Sequence, residues 1–209
     1  MAYPTVSAPY GLKPINRFDG VAYAGATQQL PIASTYNTAI FNGDVVLVSG
    51  GTIKKSAVTS DATTDQANNA TYGVFMGVQY TNTQGQTVQA QYYPGNAAAS
   101  SAYAYVVVDE KAAFKVAVTA SGSATITGTT VNAIGVNLAV RQGTGSTTTG
   151  NSGLSVVAPS SGAGNATTLP VKVIGVVPAT ASNATNYTEV IVVLTNPQMT
   201  AAAGSVNFA

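Results

Sequence analysis

The sequence contains no cysteine, no histidine and no tryptophan, and only 7 % of its 209 residues are charged, where an ordinary soluble domain carries about 25 %. Each absence removes a class of chemistry. Without cysteine there are no disulfides and no thiol nucleophiles; without cysteine and histidine together there is no zinc site of the usual ligand set and no Ser-His-Asp triad. With 8 Lys and Arg against 7 Asp and Glu the formal net charge is +1, which gives no broad field for a phosphate backbone or an anionic bilayer. Neither nucleic acid nor membrane is an expected partner. No apolar run approaches the about 18 residues of a membrane span. Met1-Ala2-Tyr3-Pro4 lacks the basic and apolar regions of an export signal. The reading is of a soluble chain, neither exported by a cleaved signal nor anchored.

What is present is 45 % hydrophobic residues, enough for a real core, at a length that fits one generous all-β domain or two small ones. Ala, Thr, Ser, Asn, Gly and Val take the place of the missing charges, a mixture suited to strands and turns. A surface with so little charge does little to oppose association, so a subunit of an assembly is expected.

Residues 1–28 carry Pro4, Pro9 and Pro14 with Tyr3, Tyr10, Leu12 and Ile15 between them. Proline fixes its own φ and pushes its predecessor towards extended backbone, so this segment is expected to be an extended arm. Its apolar residues need a surface to lie on, and Tyr3, Pro4, Pro9, Tyr10, Leu12 and Ile15 are the candidate contacts with a neighbouring subunit. Removing residues 2–16 is then expected to leave the β core folded.

From 29 to 196 the pattern is β. Gln29–Ile32 reads as an edge strand because Pro31 cannot donate to a central ladder. Val45–Val48 and Thr52–Lys54 form a hairpin about Ser49-Gly50-Gly51. Residues 56–70 read as a surface loop. The glycines of Tyr72–Tyr80 suggest a bulge, and a second hairpin leads through Asn82–Gly85 into Thr87–Tyr93, where Val88, Ala90 and Tyr92 alternate with Gln89, Gln91 and Tyr93. Tyr103–Val108 and Ala113–Val118 flank the only dense charge cluster, Asp109-Glu110-Lys111. Low-complexity text at 119–130 is a candidate meeting point of two small β subdomains. Short apolar islands at Ile134–Val140 and Ser155–Ala158 precede two strands, Val171–Val177 and Glu189–Leu194, and residues 197–209 form a short C-terminal tail. The expected fold is all-β, a β-barrel or β-sandwich with an extended N-terminal arm and a short tail.

Catalytic constellations are scarce. Gly143–Gly150 lacks the Lys and the following helix of a phosphate loop. Asp109 and Glu110 are sequence neighbours, which point to opposite faces of a strand, so they read as a solvated turn beside Lys111. Asp61, Asp65 and Asn68 could offer oxygen to calcium, but their spacing departs from the EF-hand loop and favours an ordinary polar loop. The glycosylation-like triplets at Asn69, Asn165, Asn183 and Asn186 read as accidents of composition. No enzyme activity, catalytic residue, cofactor or metal is expected. Eleven tyrosines suit either half-buried packing at barrel edges, protein interfaces, or a carbohydrate platform carried by residues such as Tyr92 and Tyr103.

Several segments, in order along the chain, resemble small structural proteins of tailed bacteriophages, particularly aquatic ones: Ala8 to Ile53 (APYGLKPIN…FNGDVVLVSGGTI), Gly73 to Gly95 (GVFMGVQYTNTQGQTVQAQYYPG), Ala104 to Val116 (AYVVVDEKAAFKV), Gly145 to Val156 (GSTTTGNSGLSV) and Leu169 to Val177 (LPVKVIGVV). The resemblance implies a virion protein made in the host cytoplasm, a head decoration or cement protein bound outside the lattice of the major capsid protein. It also implies a β-rich homotrimer at three-fold or quasi-three-fold junctions. The alternative within the same reading is a tail, fibre or adhesin component that binds glycans.

Overall fold

The computed structural model describes residues 6–58, 71–95, 102–119, 133–157, 169–180 and 187–195. Most of the loop expected at 56–70, most of the low-complexity 119–130 and the 197–209 tail lie outside the described residues, as do Tyr3, Pro4, Asp61, Asp65, Asn68 and all four glycosylation-like asparagines. Twelve strands are present among the described residues: β1 (Lys13–Arg17), β2 (Gln28–Ile32), β3 (Val45–Ser49), β4 (Thr52–Lys55), β5 (Gly73–Thr81), β6 (Thr87–Ala90), β7 (Ala102–Val107), β8 (Ala112–Thr119), β9 (Asn137–Arg141), β10 (Ser155–Val157), β11 (Val171–Val176) and β12 (Glu189–Leu194). A short 3-10 turn is present at Pro178–Thr180.

The strands close into two barrel-like sheets, so the all-β expectation holds in its barrel form. In the first, pairing runs β3-β4-β2-β7-β5 and back to β3, with β6 added to the free part of β5. In the second it runs β8-β10-β9-β11-β12 and back to β8, with β1 added to β8. Each circuit is antiparallel except at one short parallel contact, Ile32 against Ile53 in the first and Val156–Val157 against Val118–Thr119 in the second. Closure removes most exposed edges, which matters for a surface with so few charges to discourage strand pairing. It leaves β1 and β6 as edge strands, whereas β2, expected at an edge, lies between β4 and β7 with Ile32 alone paired to β4 and Pro31 unpaired on that side.

Several local expectations hold. The β3–β4 hairpin pairs Val48 with Ile53 about the Ser49–Thr52 turn. The β5–β7 ladder shifts register between Phe75 and Gly77, the bulge its glycines suggested. Gly73 is needed for a different reason: a Cβ there would stand 2.4 Å from the Val107 carbonyl oxygen.

Three expectations change. The arm is not free along its length, since β1 pairs with β8 and Leu12 is completely buried. After an earlier crossing between β1 and β2, the chain passes from the first barrel into the second at 108–111, ahead of the expected 119–130, because β8 already pairs with β12 from Ala113 to Ala117. There Asp109 accepts from the Lys111 and Ala112 amides, closing the turn. Finally, the alternation of Val88, Ala90 and Tyr92 slips by one: Tyr93, not Tyr92, is completely buried. Strand β6 ends at Ala90, and Tyr93 then forms its own bridge with Ile40, which reverses the facing of the last tyrosines.

Two cores fill the barrels. Ile32, Ile40, Val46, Ile53, Phe75, Tyr93 and Val106 fill the first. The second gathers Phe114, Val116, Val140, Val156, Val173 and Val192, and takes in Leu12 from the arm and Val45, Val74 and Val107 from the first barrel. One apolar cluster therefore seals the boundary between the two.

Candidate interaction surfaces

The boundary is also fastened by polar contacts. The Asp44 carboxylate is completely buried. It accepts from the Phe41 amide at 2.8 Å and from the Ser152 hydroxyl, and it pairs with Lys55 Nζ at 3.0 Å. Gln142 donates through its side chain to the Val45 carbonyl at 2.9 Å. Gly11 and Gly43 cross here with φ of +84° and +94°, and the Leu12 amide reaches the Gly43 carbonyl at 3.0 Å. A side chain on Gly43 would meet that amide nitrogen at 2.9 Å. Here glycine is needed for both conformation and space.

The arm ahead of β1 is docked on its own chain. Tyr187 donates its amide to the Val6 carbonyl, and Gly11 donates to the Leu154 carbonyl. The Tyr10 hydroxyl donates to Glu189, whose carboxylate also pairs with Lys115 Nζ at 3.1 Å, and that ammonium lies over the Tyr10 ring. Burial, and then the Glu189 carboxylate, push the Tyr10 phenol far above its ordinary range. Pro9 lines a polar cleft with Thr119, Arg141 and Ser155.

Of the six residues proposed from the sequence as neighbour contacts, then, Tyr3 and Pro4 lie outside the described residues, Leu12 belongs to the chain's own core, and Pro9 and Tyr10 are half-buried against it. Leu12 has no surface left for a neighbour. Ile15 alone is well exposed, at 45 %. It sits at the register shift between Pro14 and Asn16, where the ladder to β8 skips a residue.

Sequence reasoning missed the continuation of this surface. Phe18 and Val21, each 56 % exposed, follow Ile15 just past the end of β1. Arg17 bridges Asp19 at 2.9 Å and Asp109 at 3.2 Å, and Lys111 approaches Asp19 at 3.6 Å. The Arg17 guanidinium bonded to Asp19 holds that carboxyl below its usual range. Three exposed apolar side chains among linked charges, one on the edge strand β1 and two just past its end, have the composition of an apolar interface centre with a polar rim. The signal in the sequence was Phe18 and Val21 themselves, large apolar residues beside Asp19-Gly20 turn chemistry.

A second surface lies on the outside of the first barrel. Tyr103 is opposite Pro31 on β2 and Gln79 on β5, Gln79 is opposite Gln89 on β6, and Tyr105 is opposite Gln29. The Tyr105 hydroxyl donates to Gln79 Oε1 at 3.0 Å, and Tyr103 is 42 % exposed. These six residues carry no charge. Tyr92 is elsewhere, stacked on Phe41 with ring centroids 5.3 Å apart. Phe41 in turn fills the space above Gly145, where a Cβ would stand 2.3 Å from the ring. The glycines of Gly143–Gly150 thus serve close packing: Gly143 lies equally tight against Gly153.

No family model matches the chain, and neither the curated proteins nor the solved structures contain a match to it.

Proposed function

We propose that this chain is a non-enzymatic structural protein of a tailed-phage virion that binds the outside of the head lattice as a cement or decoration protein. Its partner is the major capsid protein, and a homotrimer is its assembled form. The sequence resemblance running from Ala8 to Val177 points to the virion. The observation that carries a docking role is the exposed Ile15, Phe18 and Val21 stretch beside the unpaired edge of β1. A protein that binds only the assembled shell stabilises it by mass action, and weak contacts repeated across several coat subunits multiply in effect.

The test is quantitative mass spectrometry of purified parent virions with heads and tails separated. Hundreds of copies travelling with heads is the expected result. Absence from both fractions overturns the virion reading.

A few copies confined to tails would instead favour a fibre or adhesin role. What favours that second reading is the uncharged Tyr103, Tyr105, Gln79 and Gln89 face, since tyrosine rings stack on sugar faces while amides and hydroxyls exchange hydrogen bonds with them. Glycan-array binding that disappears in Tyr103→Ala is its expected signature.

A further inference from the structure

Lys13, on β1, forms no ion pair among the described residues. Its Nζ instead donates to two carboxamide oxygens, Asn42 Oδ1 and, at 2.7 Å, Asn151 Oδ1, with the Asn42 main-chain carbonyl 3.5 Å away. Asn42 is only 5 % exposed, and its Nδ2 donates to the Met76 carbonyl at 2.6 Å. That bond fixes the orientation of the carboxamide, with its oxygen towards the Lys13 amine. The amine also lies partly out of water, and burial lowers the Lys13 pKa against an opposing pull from Asp44. Desolvation therefore brings the neutral, nucleophilic form of the amine within easier reach than on an open surface. Asp44, two residues beyond Asn42, is a completely buried carboxylate whose field reaches Lys13.

We propose that Lys13 and Asn42 condense into an intramolecular isopeptide bond that staples β1 to the loop ahead of β3. Lys13 Nζ attacks Asn42 Cγ, the Nζ–Cγ bond forms, and the Cγ–Nδ2 bond breaks. The proton shed by the attacking neutral amine is taken up by the departing nitrogen, which leaves as ammonia. Electrons and atoms balance with no oxidant, reductant or co-reactant. The reaction can occur only after folding, because Asn42 and Lys13 meet where the arm crosses the boundary between the barrels. It gives a chain without cysteine a covalent tie between its N-terminal strand and its core. Asn151, bridged to Asn42 through the backbone, orients the amine by accepting a second hydrogen bond.

Intact-mass measurement on the full-length protein, corrected for any loss of the initiator methionine, tests this directly. The expected mass is that of the sequence less one ammonia. Lys13→Arg and Asn42→Ala are each expected to restore the full mass, while Asn151→Ala, which removes an orienting bond, retains the loss. Tandem mass spectrometry of a digest should recover one branched peptide joining Lys13 to Asn42. That peptide separates the crosslink from ammonia lost by cyclisation elsewhere. Wild-type protein at the full sequence mass overturns the proposal whether or not the variants fold, and a branched peptide joining Lys13 to Asn151 overturns the assignment to Asn42.

Discussion

The Ser152 hydroxyl donates to the Asp44 carboxylate, joining two residues 108 positions apart in the chain and one from each side of the boundary between the barrels. Ser152 also accepts from the Leu154 amide at 2.8 Å, so its hydroxyl is oriented by its own loop before it reaches Asp44. The contact sits where Gly11 and Gly43 cross, and a Cβ on Gly11 would come within 2.7 Å of the Ser152 Cβ.

Replacing Asp44 by Ala leaves Lys55 without its partner and the Phe41 amide without its acceptor. Breaking a buried ion pair from one side costs about 3–5 kcal/mol. Ser152→Ala, which removes one neutral donor, should cost about 1–3 kcal/mol. Urea unfolding checks both. Equal losses in the two variants would mean that the charge pair contributes nothing beyond the hydroxyl bond.

Leu12→Ala should cost about 2–5 kcal/mol, the usual penalty for emptying a fully buried leucine site. Because Leu12 lies in the cluster that seals the boundary between the barrels, the loss is expected in the main cooperative transition. A variant with unchanged stability would show that the arm does not dock as described.

Tyr10 gives a pH dependence with a defined sign. Its folded pKa is raised above the ordinary value of about 10. Below pH about 10 both states hold the proton and the stabilisation is complete; above it the unfolded chain ionises while the native phenol resists. Stability should therefore fall with rising pH, by up to about 1.4 kcal/mol per pH unit from this group. Tyr10→Phe should be less stable than wild type at neutral pH and lose less on going from pH about 9 to about 11. A gap between the two proteins that stays constant across that range contradicts the Tyr10–Glu189 bond.

The strands were largely legible because period-two alternation and Gly, Asn and Pro turns are local signals. The β3–β4 and β5–β6 hairpins follow from neighbours in the chain. Closure was not legible, because the contacts that close each circuit are short: one residue pair joins β2 to β4 and two join β8 to β10. Leu12 misled for a related reason. A leucine between prolines looks like an arm residue wherever it goes, and only the pairing of β1 with β8, about a hundred residues later, determines that this one turns inwards. Ile15 was legible as a contact candidate, but the sequence alone does not separate it from Leu12. The separation comes from the skipped residue after Pro14, a feature of the ladder rather than of either side chain.

That separation changes how head binding must be tested. Deleting residues 2–16, the direct experiment on an independent arm, would remove Leu12 from the core, Tyr10 from Glu189 and most of β1 from β8, so a loss of binding would report unfolding. Surface changes avoid this. Ile15→Ser, Phe18→Ser and Val21→Ser alter side chains that face solvent in the isolated chain, where substitutions usually shift stability by less than about 0.5 kcal/mol. On a shell each would lose its share of buried apolar area, and fully burying a side chain of this kind is worth about 1.5–3 kcal/mol. The triple variant should keep the wild-type unfolding midpoint while its occupancy on undecorated heads falls at least tenfold in a sedimentation assay. Full occupancy with the triple variant would remove this patch from the interface and leave the Tyr103 face as the surface to test next.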